Sequence, residues 1–119
     1  MSDEIFWVFE ITLKPGAVDD FTALAKEMVD ANAAGEPDTL GYEVFLTADG
    51  TRVHFCERFV DSAAVMAHVA RFGQNFAARV GELATVTRFE IYGDPSADVR
   101  ATLADFNPTY LTQVAGFIR

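Results

Sequence analysis

The chain has 119 residues, half of them hydrophobic and 23% charged, which describes one globular domain and excludes disorder over most of the length. Nine Lys and Arg against eighteen Asp and Glu leave a net charge of −9, which opposes a phosphate backbone or an anionic membrane surface, so neither nucleic acid nor membrane is an expected partner. Eleven Phe in so small a chain offer more aromatic area than a monomer readily hides, and a homodimer is expected.

Residues 5–13, IFWVFEITL, are aromatic and β-branched and stop at Lys14-Pro15-Gly16, the pattern of a strand and its breaker. The acidic start Met1-Ser2-Asp3-Glu4 and the short run Ile5 to Phe9 do not read as an export signal, and a cytoplasmic location is expected. From Ala17 the period changes: Phe21, Leu24, Ala25, Met28, Val29 and Asn32 share one face of a helix that runs to about Gly35. Gly35-Glu36-Pro37-Asp38 is a loop, after which Tyr42, Val44 and Leu46 alternate along a strand at 40–47. Asp49-Gly50 predicts a hairpin into residues 52–60, RVHFCERFV, and Cys56 in that strand reads as a small buried hydrophobe.

Asp61-Ser62 offers an N-cap to a second helical region, where Val65, His68, Val69 and Phe72, then Phe76, Val80 and Leu83, fall at helical spacing with Gly73 expected as the break. Residues 85–93, TVTRFEIYG, return to strand composition. Asp94-Pro95-Ser96 opens a short amphipathic stretch to Phe106, and Asn107 to Arg119 reads as an extended tail. The order β-α-β-β-α-β is that of the ferredoxin-like α+β class, an antiparallel sheet with two helices on one face. Residues 1–93 would form that domain, and 94–119 a C-terminal helix and tail packing on it or on a partner subunit.

Strand parity puts Trp7, Phe9, Ile11 and Leu13, Tyr42, Val44 and Leu46, Val53, Phe55, Glu57 and Phe59, and Thr87, Phe89 and Ile91 on the helix side. The opposite set, including Phe6, Val8, Glu10, His54, Cys56, Arg58, Val86, Arg88 and Glu90, is mixed and suits sheet-to-sheet packing with paired charges. There is no phosphate-binding Gly loop, nucleophile elbow or helical metal-binding His pair. His54 and His68 fall on opposite sides of the sheet, and no metal is expected.

What remains is a few polar groups among aromatics. His68 on the apolar stripe, with a pKa near neutrality, can exchange a proton or can be a hydrogen-bonded core histidine. Asn75, seven residues on, can orient a substrate oxygen or cap the helix. Glu57, the one charge on its strand's apolar parity, needs a donor; bonding the helix start at Asp61 to Ala64 is the structural alternative. Tyr42 and Trp7 are aromatic walls with polar handles.

The run Gly35-Glu36-Pro37-Asp38-Thr39-Leu40-Gly41-Tyr42-Glu43-Val44-Phe45, the block from Val53 to Ala64 and then His68 resemble the antibiotic biosynthesis monooxygenase domain, including the quinol monooxygenases within it. The resemblance implies a dimeric α/β barrel in which each subunit keeps a pocket between sheet and helices. It implies oxidation of a small hydroxylated aromatic or quinol by molecular oxygen without a cofactor. His68, Asn75, Tyr42 and Glu57 would be the catalytic residues, with Trp7, Phe9, Phe55, Phe72 and Phe89 around the substrate. Positions of the haem-degrading branch of the fold are held here by Phe9, His68 and Ala78, so haem is not expected. A non-catalytic small-molecule-binding protein, or an isomerase or cyclase on the same scaffold, remains open at this level.

Overall fold

Ile5–Leu13 forms β1, the central strand of the sheet, in the computed structural model, which describes residues 2–119. The chain continues through α1 (Val18–Gly35), β2 (Thr39–Leu46), β3 (Arg52–Phe59), α2 (Ser62–Asn75), α3 (Ala77–Leu83) and β4 (Ala84–Tyr92). It closes with α4 (Ala97–Leu103), a 3₁₀ turn at Ala104–Phe106 and a short β5 (Thr109–Leu111). The strands lie in the order β2-β3-β1-β4-β5; β1 pairs antiparallel with β3 and β4, β2 with β3, and β5 runs parallel to β4. This is the ferredoxin-like α+β architecture, widened by one strand.

Periodicity explains what is buried. Phe21, Leu24, Ala25 and Met28 of α1 meet Ile11, Leu13, Val53 and Phe55 in one core cluster. Ile5, Trp7, Phe59, Val65, Phe89 and Ile91 form a second with Val99 and Leu103 of α4. The appendage thus shares the core and is not an arm laid over it. Asp61 caps α2 as its position suggests, its Oδ1 accepting from the Ala64 N–H at 2.9 Å. Asp61→Ala is expected to lower stability by ~1 kcal/mol, checked by urea unfolding.

Three expectations need correction, and a fourth is extended. The break between the second pair of helices falls at Phe76, whose backbone leaves helical geometry (φ −132°, ψ −26°) as its ring enters the core, while Gly73 stays inside α2. A bulge in β4 opposite Glu10 and Ile11 reverses the parity there. Thr87 consequently donates to Glu10 on the face away from the helices, and Val86 pairs with Ile11. The extended tail goes further than expected, since Thr109–Leu111 adds a fifth strand beside β4 and the Gly93 N–H donates to Leu111 at 3.0 Å. Gly93 adopts φ +121°, and a Cβ there would sit 2.9 Å from the Glu4 carbonyl oxygen, so the edge closes only with glycine. Cys56 is half-buried rather than buried, its thiol pushed up by burial and then by the Glu43 and Glu57 charges.

Opposite the helices lies a mixed face. Phe6 packs on Tyr92 at 5.5 Å and under the Arg58 guanidinium at 4.9 Å. Glu10 is buried there by His54, 2.8 Å away, and by Thr87. Arg88 pairs with Glu90 of its own strand rather than across strands, and Arg58 reaches Glu4. Beyond Leu111, Val114, Phe117 and Ile118 remain exposed. No helix among the described residues is long and apolar enough to cross a membrane.

Candidate active site

Between the sheet and α2 lies a cavity of about 230 Å³. Trp7, Phe9, Phe55 and Phe89 rise from three strands to form its floor, Val69, Phe72 and Gly73 of α2 form one side, and Leu103 and Phe106 another. Its rings are fixed by one another: Phe9 and Phe89 meet edge to face at 4.9 Å, and Trp7 and Phe89 at 5.1 Å. Polar side chains enter at one place, where His68, Glu57 and Tyr42 come together.

His68 sits one turn beyond Val65 on the buried stripe of α2, so its ring points at the sheet. Its Nδ1–H donates to Glu36 Oε1 at 2.8 Å, and its Nε2 lies 2.8 Å from Glu57 Oε1. The second contact is an ion pair without hydrogen-bond alignment, which leaves Glu57 Oε1 a buried oxygen with no aligned donor. All three side chains are nearly inaccessible to solvent. Burial opposes a charge on His68, but the hydrogen bond to Glu36 and the two carboxylates against the ring together outweigh it and raise the imidazole to about 9. This favours the imidazolium form of His68 at neutral pH.

Glu36 is the residue that sequence reasoning missed. It follows Gly35 at the end of α1, where its N–H caps Asn32, and its carboxylate also accepts from Thr39 Oγ1 at 2.8 Å and Arg71 Nε at 3.0 Å. Burial pushes its pKa up, but these donors, His68 foremost, bring it below the ordinary carboxylate value. Arg71 also donates to the Ala31 carbonyl, placing a cation at the C-terminal end of α1 where the helix dipole favours one. A Cβ on Gly35 would lie 2.5 Å from Arg71 Nη2, so the glycine lets the guanidinium reach Glu36. The only sequence signal was a Glu in a loop next to a strand, and nothing local connects it to His68, 32 residues away.

Tyr42 donates weakly to Met28 Sδ at 3.9 Å, and burial followed by the Glu57 and Glu36 charges keeps its hydroxyl protonated well above the usual range. The Trp7 Nε1 is buried with no hydrogen-bond partner. Asp61, not Glu57, caps α2, which frees Glu57 for His68. The structure thus gathers His68, Tyr42, Glu57, Trp7, Phe9, Phe55, Phe72 and Phe89 around one cavity and leaves Asn75 outside it, exposed at the last position of α2. His54 lies on the other face of the sheet with Glu10.

Residues 5–79, which carry β1 through α2 and the start of α3 and include Glu36, Glu57 and His68, match the antibiotic biosynthesis monooxygenase family. The chain belongs to this family. No curated protein sequence matches it. Among solved structures it is similar to MupZ from Pseudomonas fluorescens, with 20% identity, a TM-score of 0.89, and coverage of 100% of this chain and 91% of that one. Rv0793 from Mycobacterium tuberculosis is 23% identical over 78% of this chain and 96% of its own, with a TM-score of 0.64. SnoaB from Streptomyces nogalater, described as a cofactor-independent oxygenase, is 18% identical over 81% and 97%, with a TM-score of 0.65. These likenesses establish the fold of this antibiotic biosynthesis monooxygenase family member, and its chemistry has to be argued from the cavity.

Proposed function

We propose that the protein is a cofactor-independent monooxygenase that oxidises a small hydroxylated aromatic or quinol with molecular oxygen. The observation that carries this reading is a carboxylate and an imidazolium 2.8 Å apart at one wall of an otherwise apolar, aromatic cavity. Family membership supports it.

A phenolic O–H entering the cavity finds Glu57 as proton acceptor. The His68 imidazolium beside it offsets the charge of the phenolate that forms, and Glu36 with Arg71 holds the ring in place. In so apolar a space the phenolate is electron-rich and passes electrons to oxygen without a metal or flavin. For a methylene activated by the phenolate the balance is CH2 + O2 → C=O + H2O. One oxygen atom bonds to carbon as a hydroperoxide, a base takes the remaining C–H proton as the O–O bond breaks, and the expelled hydroxide is protonated to water. The sheet's mixed outer face, with Phe6, Val8 and Cys56 half-buried, supports pairing with a second copy.

His68, already protonated beside a carboxylate, favours one second reading, a proton-transfer isomerase or cyclase. The two are separated by measuring oxygen uptake and product together, on metal-stripped protein with a panel of quinols and polyphenols, beside size-exclusion chromatography. The expected result is one O2 consumed per product carbonyl, from a dimer. Product without oxygen uptake overturns the oxygenase reading in favour of the isomerase; ligand binding without any product makes the protein a binding module.

A further inference from the structure

The cavity has one wall that lies outside the residues that match the family. Leu103 and Phe106, at the end of α4 and in the 3₁₀ turn, lie more than twenty positions past residue 79. We propose that Phe106, the half-exposed ring that closes this wall of the cavity, sets the size of ligand this protein accepts and limits it to two fused rings. The proposal rests on reading the cavity as an aromatic-ligand site but not on the oxygen chemistry.

Phe106 stands edge-on to both rings of the floor, 6.0 Å from Phe9 and 6.1 Å from Phe89 and at 81° to each. It is 42% exposed, so the ring is a boundary with solvent on one side and the cavity on the other. Its segment is held at both ends. Val99 and Leu103 anchor α4 in the core, and Asn107 turns the chain in the left-handed region (φ 50°) into β5, which pairs with β4. Arg100 stacks over Tyr110 at 4.3 Å and ties α4 to that strand. Phe106 is therefore a fixed wall.

Gly73, also in the lining, is helical and exposed, and a Cβ added there would meet nothing within 4 Å. Packing does not require a glycine at this point, and a side chain here has room to grow beside the cavity. A dry cavity of about 150 Å³ holds one benzene ring. The space here, about 230 Å³, is half as large again, which admits a second fused ring and stops short of a third.

Isothermal calorimetry with phenol, naphthol and anthrol tests this on the full chain. Wild type is expected to bind naphthol most tightly and anthrol at least roughly tenfold more weakly. Phe106→Ala removes one ring from the wall and is expected to strengthen anthrol by roughly tenfold or more, with naphthol changing little. Gly73→Leu adds bulk to the lining and is expected to weaken naphthol while phenol is retained. Phe106→Leu gives a smaller shift in the same direction as Phe106→Ala and serves if the alanine variant does not fold. A rank order unchanged in these variants, or all three ligands weakened alike, overturns the proposal. If wild type binds none of them, the aromatic-substrate reading falls as well; if the ranking shifts as expected but no oxygen is consumed, the oxygenase reading alone falls.

Discussion

Glu57→Gln is expected to lower kcat by ~10²- to 10⁴-fold while the protein stays folded, the range for loss of a positioned general base. The amide keeps the size of the side chain but cannot take up a phenolic proton. The same change removes one of the two charges that raise His68, so the His68 pKa should fall from about 9 toward its ordinary 6.5. Histidine NMR titration reads this directly, with His54 on the other face of the sheet as an internal control. Loss of activity with an unmoved His68 titration would contradict the coupling seen in the geometry, and retained activity would remove Glu57 as the base. Glu36→Gln should move the same titration, since its carboxylate touches His68 and not the cavity. Its effect is expected in the pH profile more than in the maximal rate, as for a positioning residue.

His68→Leu is expected to destabilise the protein by ~3 to 5 kcal/mol at neutral pH, because it leaves buried carboxylates without the cation between them. In wild type, Glu36 and Glu57 are balanced by His68 and Arg71; in the variant Arg71 is the only cation left. The pH dependence follows from the directions of the shifts. His68 is raised from 6.5 to about 9, so its contribution is complete below pH 6.5 and is lost as pH rises through about 9. Glu36 is lowered from 4.5, so its contribution is present above that pH and is lost as acid protonates it in the folded state. Stability from this cluster should therefore peak between pH 4.5 and 6.5 and decline toward pH 9, with the His68 part on the order of 3 kcal/mol. Urea unfolding of wild type and His68→Leu across this range checks it: the gap between them should narrow as pH rises. A constant gap would mean that His68 contributes packing rather than charge.

Much of this was legible locally. Apolar alternation in IFWVFEITL, the stripe from Phe21 to Met28, Asp49-Gly50 and the cap at Asp61 are short-range signals, and each formed the element it implies. His68 on an apolar stripe and Glu57 on an apolar parity stood out because a buried polar group needs a reason. What misled was also local: Gly73 suggested a helix break that Phe76 makes, because a glycine weakens a helix only slightly while a core-anchored ring redirects the backbone. The β4 bulge displaced Thr87 and Val86 from their expected faces, since one extra residue in a strand is invisible to a period of two.

The sequence by itself determined the ferredoxin-like elements and their order, most of the faces that must be buried and the family to which the chain belongs, because periodicity, caps and turns act over a few residues. Only the tertiary structure decided which polar groups meet. Glu36 closes α1, Glu57 lies in β3 and His68 in α2, and sheet pairing with helix packing brings each carboxylate to 2.8 Å from the imidazole. Tertiary packing likewise turned the C-terminal segment into a wall of the cavity, since the position of Phe106 depends on Val99 and Leu103 finding the core and not on any signal near Phe106 itself. The charge state of His68 has the same origin: an imidazole alone titrates near 6.5, and two buried carboxylates from distant parts of the chain make it a cation.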